Sequence, residues 1–312
     1  MTLGQLVLQL AENQIQSMKE YYTDFLESPP PGAVFRAKTS NASVTAYRSG
    51  KILFQGKAPE AEAEKWTQGQ SSRHVPKQVA TRKNSGLLPA QTLFSASHIG
   101  SDEAGTGDYF GPITVACAYI NAANIPLLKQ MGVKDSKALS DDTIKKLAAE
   151  IIHMNIPYSL LILNNPKYNQ LQKRGWSQGK MKGVLHQHAI DKLVEKIDNA
   201  ELDGILIDQF CQPDVYKRYI TSENLALQNN TFFMTKAESY SIAVAAGSIL
   251  ARAAFLREMD KLSQQIGIHL PKGASRIVDE AIAKIIATKG ERTLDSCAKV
   301  HFANTGKGKK LL

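Results

Sequence analysis

The sequence predicts an α/β protein: a mixed sheet flanked by helices, preceded by a small α+β unit. Three observations carry this expectation. Apolar runs of strand length, "HIGSDE", "ITVACAYI", "YSLLIL" and "GILIDQ", are separated by stretches with helical spacing. A second group of short strands and helices occupies residues 1–67. Between the two groups, residues 68–94 are polar, basic and poor in periodicity, which reads as a linker and places the larger domain at 95–312. With 312 residues, 43% hydrophobic and 21% charged, the chain has material for two ordinary cores.

In the small unit, "LVLQL" suits a strand and a helix follows over roughly Asn13 to Leu26. The helix must stop before "SPPPG", because consecutive prolines cannot continue it. "AVFRAK", "SVTAYRSG" and "KILFQG" read as three strands, turning at Thr39-Ser40-Asn41 and at Ser49-Gly50. "APEAEAEKW" closes the unit as a helix with Pro59 in its first turn. From Ala33 to Lys57 the strands carry Arg36, Lys38, Arg48, Lys51 and Lys57 and no acid, while the acids sit in the helices. A sheet with one face under acidic helices and the other basic is a nucleic-acid platform, or a set of edge strands charged against aggregation. Charge alone leaves both open.

In the larger domain, "SDDTIKKLAAEIIHM" is a helix with Ser140 as N-cap and an apolar stripe of Ile144, Leu147, Ala148, Ile151 and Ile152. A further helix spans about Lys180 to Asn199 and leads into "GILIDQ". The strand "TFFMTKAE" then precedes "SYSIAVAAGSILARAAFLREMDKL", a helix small and apolar on several sides and therefore expected to lie buried against the sheet.

The formal charge is +9, which suits a polyanionic partner, nucleic acid or an anionic membrane surface. No apolar run approaches membrane-spanning length, and "MTLGQLVLQLAENQ" lacks the basic start of a leader. The expectation is a cytoplasmic monomer without membrane contact. Cys117, Cys211 and Cys297 are far apart and show no CxxC spacing, which argues against a zinc knuckle or a disulfide framework.

Four acids share an unusual setting. Asp102 and Glu103 end the first strand of the larger domain, Asp208 ends "GILID", and Glu238 follows "FFMTKA". Each acid taken singly is better explained by a helix cap or surface charge. Together, carboxylates gathered where strand ends converge would repel one another unless cations stood between them. An all-oxygen donor set favours Mg²⁺ or Mn²⁺ over zinc. Two such ions roughly 3.5–4 Å apart suit phosphodiester hydrolysis. Neighbouring strand residues point to opposite faces, so Asp102 and Glu103 serve one site only if the strand ends or bends there, with Gly105 and Gly107 supplying the freedom. "GTGDYFG" matches neither the P-loop nor the dinucleotide fingerprint. Its glycines instead let backbone groups approach a ligand such as a sugar-phosphate chain. No small-molecule cofactor is expected.

"SDEAGTGDYFGPITVACAYI", "VKDSKALSD", "ILIDQF" and "TKAESYSIAVAAGSILARAAFLREMDKL" resemble the type 2 ribonucleases H. The GTGDYFGP form, Glu238 as fourth carboxylate and "AKVHFANT" resemble the ribonuclease HIII branch in particular. The resemblance implies an RNase H-like fold, a TBP-like N-terminal substrate-binding domain, and endonucleolytic cleavage of the RNA strand of RNA–DNA hybrids to 5′-phosphate and 3′-hydroxyl ends. It also implies that Asp102, Glu103, Asp208 and Glu238 ligate the metals, with Asp102 bridging both. Gly105, Thr106 and Gly107 would sense ribose 2′-hydroxyls, and Lys137, with Ser136 beside it, would meet phosphate. Gly179 and Gln187 stand where the family pattern has asparagine, which leaves the start of that helix without an assigned substrate contact. His186 and His188, two apart on a helix, face different sides, one packed and one solvated. The rival readings are nicking at single ribonucleotides in DNA, as in the HII branch, a non-catalytic hybrid-binding protein, and a resolvase or integrase of the same broad fold.

Overall fold

The computed structural model describes residues 4–30, 32–47, 49–66, 88–198 and 200–312. Arg48 and linker residues 68–87 lie outside the described residues. The chain forms two compact units, one within residues 1–80 and one within 81–312.

In the first unit, β1 (Gly4–Gln9), β2 (Leu26–Glu27), β3 (Ala33–Lys38), β4 (Ala42–Tyr47) and β5 (Lys51–Gly56) form one antiparallel sheet in the order β1-β5-β4-β3-β2. Helices α1 (Glu12–Tyr21) and α2 (Pro59–Glu64) complete the unit. Ile15, Met18 and Tyr22 pack on Phe35, Val44, Ile52 and Phe54, the strand positions that face the helices. The predicted helix to Leu26 ends earlier, at Tyr21. Thr23 and Asp24 are weak helix formers, and Leu26 and Glu27 instead pair with Ala37 and Arg36 as an edge strand. Arg36, Lys38 and Lys51 occupy the alternate positions, on the face turned away from that core. Arg36 is held there by Glu27 at 3.4 Å and by Ser43 Oγ at 3.2 Å. Among the helix acids, Glu62 is fully buried and accepts from Tyr22 Oη (2.9 Å), Asn41 Nδ2 (3.2 Å) and Lys65 Nζ (2.9 Å).

The second unit is built on β6 (His98–Ala104), β7 (Ile113–Ile120), β8 (Tyr158–Leu163), β9 (Gly204–Asp208) and β10 (Thr231–Met234), in the order β10-β9-β6-β7-β8. β10, β9 and β6 run parallel, and β7 and β8 are antiparallel to their neighbours. The helices are α3 (Ile125–Gln130), α4 (Asp141–His153), α5 (Asn165–Lys173), α6 (Gln178–Ile197), α7 (Pro213–Thr221), α8 (Ile242–Ile266), α9 (Arg276–Lys289), α10 (Leu294–Cys297) and α11 (Ala303–Lys309). Packing reaches back to Leu93, which is buried with Leu206, Ala237 and Val244. Ser140, Ser177 and Ser241 cap α4, α6 and α8 by accepting from the N–H three residues on.

Strand alternation sets which helix each side chain meets. Ile99, Val115 and Cys117 lie in the α6 core with Met181 and Ile190, whereas Ala116 and Ala118 lie in the α8 core with Ala243 and Ala246. Every side chain of α8 from Ile242 to Ala251 is buried, as the small apolar sequence predicts. Gly100 is the closest point of contact: a Cβ there would overlap the Val244 nitrogen and lie 2.6 Å from the Ala243 oxygen. Among the described residues no helix is long and apolar enough to cross a membrane.

Candidate active site

β6 does not end at its acidic pair. Asp102 pairs with Ala116, Glu103 with Val115 and Ala104 with Thr114, and only at Gly105, with φ of 85°, does the chain turn. The expected bend between the two acids is therefore absent, because β7 holds β6 in register to its last residue. The pair leaves the strand toward opposite faces, but β9 stops pairing with β6 at Ser101, and over that open edge both side chains line one cleft. Asp102 meets Ser248 of α8, while Glu103 meets Lys182 and His186 of α6. The β6–β9 pairing stops at Ser101 and Ile207. One residue further on, Asp208 shares the α8-facing register of Leu206 and accepts from the Ala237 N–H at 2.9 Å. Glu238 sits in the 3₁₀ turn Ala237–Ser239 before α8, not in the helix itself.

A cleft of about 490 Å³ opens over these strand ends, lined by Asp102, Glu103, Asp208, Gly105, Thr106, Gly107, Ser136 and Lys137. Glu238 joins it through Lys137 Nζ at 2.8 Å. The cleft thus gathers the larger-domain residues singled out from sequence. Ser136 Oγ lies 2.7 Å from Ser248 Oγ, so the KDSK loop and Asp102 share one α8 serine.

Electrostatics separate the four carboxyls into two kinds. Burial pushes Asp102 well above the usual carboxylate range, and the Glu103 and Asp208 carboxylates push it further. Burial also raises Asp208, to about 6, with Glu238 adding to the rise against the Ala237 N–H. Burial acts on Glu103 as well, but His186 and Lys182 outweigh it and hold the carboxyl at about 2. For Glu238, the Lys137 hydrogen bond likewise outweighs burial and lowers it. Two carboxyls therefore carry protein cations as counter-charge, while two strain against ionising.

That distribution fits a divalent cation. Asp102 and Asp208 gain from a positive charge between them, and Glu238 Oε2 is buried without a hydrogen-bond donor. The donor set is all oxygen, as hard cations require. Among the described residues no three His, Cys, Asp or Glu side chains already stand in metal-holding geometry. Lys137, Lys182 and His186 hold Glu238 and Glu103 instead.

Several neighbours were not assigned from sequence. His186 is fully buried, with Nδ1 2.7 Å from Ser101 Oγ and Nε2 2.9 Å from Glu103 Oε2, while His188 is exposed. One packed and one solvated histidine is the expected split, but the packed one orients a site acid. Lys182 and His186, four apart on α6, carry the signal that finds them: one helix face aimed at one carboxylate. The start of α6 also touches the glycine loop, since Gln178 Nε2 donates to the Thr106 carbonyl at 3.0 Å. Gln187 is buried and bonded to Asp191 and Tyr216, a structural role. In the loop, a Cβ on Gly105 would collide with the Pro112 carbonyl and the Phe255 ring, whereas Gly107 faces open space. Gly105 is thus demanded by the turn, and Gly107 leaves room above the backbone.

Comparison with known proteins places these features in a family. The Ribonuclease HII family model matches residues 99–305, and a domain of unknown function (DUF3378) matches residues 5–78. Ribonuclease HIII of Oceanobacillus iheyensis is 57% identical over 310 residues, covering 99% of this chain and 100% of that protein. The chain belongs to the ribonuclease HIII family. Ribonuclease HIII of Bacillus subtilis is 47% identical over 308 residues, 98% of this chain and 97% of that one. Among solved structures, Bst-RNase HIII in complex with Mn²⁺ is 44% identical, covers 99% of both chains and gives a TM-score of 0.68. RNase H3 of Aquifex aeolicus, 22% identical with a TM-score of 0.52 over 95% of this chain and 99% of that one, shares the fold. As a ribonuclease HIII the chain is a ribonuclease H, a hydrolase with endoribonuclease activity on RNA.

Proposed function

We propose that the chain cleaves the RNA strand of RNA–DNA hybrids by hydrolysis, with divalent Mg²⁺ or Mn²⁺, two ions at full occupancy, held by Asp102, Glu103, Asp208 and Glu238. The observation that carries this reading is the pair Asp102 and Asp208: both are pushed up by burial and by neighbouring carboxylates, and both line the cleft that the glycine loop overhangs. The Mn²⁺ complex of the 44% identical relative supports it. When bound, the cations supply the charge that makes water nucleophilic and stabilises the leaving oxygen.

The protein's own groups do the rest. Ser248 and the Glu103 N–H both donate to the Asp102 carboxylate and hold it in place. Lys137, three-quarters exposed, balances Glu238 and is placed to turn to a substrate phosphate once other positive charge reaches that acid. The loop offers Gly107 backbone and the Thr106 hydroxyl, whose oxygen is buried without a partner, as contacts for ribose. Water adds to phosphorus and the ribose 3′-oxygen departs, leaving 5′-phosphate and 3′-hydroxyl ends. In the first unit, Arg36, Lys38 and Lys51 on the open sheet face supply hybrid affinity, with Arg48 of the same segment. That unit favours extended hybrids over the single-ribonucleotide nicking of the HII branch.

Chelation tests the metal requirement. Cleavage of a labelled hybrid should fall to background in excess EDTA and return when Mg²⁺ or Mn²⁺ is added beyond the chelator. Full cleavage in EDTA, or products ending in 3′-phosphate, would overturn the reading.

A further inference from the structure

Lys299 is a fully buried lysine whose amine carries no ion pair among the described residues. Its Nζ donates to the main-chain carbonyls of Asp108 at 2.8 Å and Gly111 at 2.6 Å. The adjacent Asp108 carboxylate is engaged elsewhere, accepting from the Gly273 N–H at 2.6 Å. Burial lowers the Lys299 amine to about 7 against the pull of Asp108. A neutral amine still has two N–H bonds, and two carbonyls receive them.

The backbone around Lys299 runs along the same loop. Its N–H donates to the Tyr109 carbonyl at 2.8 Å, Phe110 bridges to Ala298, and the Gly111 N–H donates to the Cys297 carbonyl at 2.8 Å. Asn165 Nδ2 adds a second donor at the Gly111 carbonyl, 2.9 Å away. The far half of the turn, Asp108 to Gly111, is therefore gripped from beneath. The near half, Gly105 to Gly107, faces the cleft and is held by Gln178 at the Thr106 carbonyl. Asp108 joins the two halves, and Lys299 fixes its carbonyl.

We propose that Lys299 is a positioning residue for the Gly105–Gly107 loop, setting from below the shape by which the loop distinguishes ribose from deoxyribose. This rests on the reading of that loop as the ribose sensor. A burial role alone would be met by any apolar side chain, and would not need a polar group aimed at two loop carbonyls.

The test is Lys299→Met, which keeps length and removes both donors. Hybrid KM, kcat, and inhibition by a DNA duplex of the same sequence would be measured on protein shown folded by thermal melting. Losing the donors should raise hybrid KM and lower the ratio of DNA-duplex Ki to hybrid KM by about tenfold, with kcat changed less. A lower kcat with KM and the ratio unchanged would overturn the proposal, because a smaller active fraction produces that pattern. If K299M does not fold, Asn165→Ala, which removes the other donor to Gly111, should lower the ratio by about threefold, and an unchanged ratio overturns the proposal. A wild-type protein that shows no preference for hybrid over DNA duplex would instead reject the sensor reading itself.

Discussion

Asp102→Asn should lower kcat on an RNA–DNA hybrid by roughly 10³-fold or more while leaving hybrid affinity within about threefold. Asparagine keeps the shape and the hydrogen bonds from Ser248 and the Glu103 N–H, but removes the negative charge that a divalent cation needs. The same change should not destabilise the metal-free protein. Asp102 is buried beside Glu103 and Asp208 and is held well above the ordinary carboxylate range, so a neutral amide relieves repulsion there. Binding by fluorescence anisotropy in Ca²⁺, melting without metal and single-turnover cleavage in Mg²⁺ separate the three effects. Substantial residual turnover would remove Asp102 from the chemistry.

Gly100→Ala should have the largest effect on folding. The added Cβ would meet backbone, at Val244 and Ala243, and neither a central strand nor a helix buried along ten successive residues can yield locally. The expected cost is about 4 kcal/mol or more, at the high end for a single substitution. That corresponds to a melting temperature lower by roughly 8–16 °C for a domain of this size, or to loss of soluble protein. Gly306→Ala is the matched control: it lies in a helix facing open space and should be neutral or stabilising by roughly 0.5–1 kcal/mol. A G100A protein that melts with the wild type would show that α8 and β6 are not in contact as described.

Much of the architecture was legible because its signals are local. The strand run ending in Asp208, the run that carries Asp102 and Glu103, the Ser140 cap of α4, and the small apolar surface of α8 depend on neighbours in sequence. The acids stood out because ionised groups rarely end apolar strands without a partner. What escaped notice depends on pairing at long range. β6 runs straight through Glu103 because β7 pairs with it, and no glycine nearby reveals that. His186 was set against His188, two residues away, when its helical neighbour in space is Lys182, four away. Ile152, assigned to the apolar stripe of α4, is 47% exposed, since a helical face is narrower than its list of apolar residues. Lys299 gave no signal at all: a lysine in "AKVHFANT" has the composition of a surface residue, and only the fold buries it.

In the proposed function the cleft cuts the RNA strand of hybrids with divalent cations held by its four acids. The most direct measurement incubates the protein, in Mg²⁺ and separately in Mn²⁺, with an RNA–DNA hybrid and with a DNA duplex bearing one ribonucleotide. Cuts throughout the RNA strand of the hybrid, with the second duplex resistant or much slower, are the predicted result. Cleavage of the single-ribonucleotide duplex alone, or of neither, would contradict it.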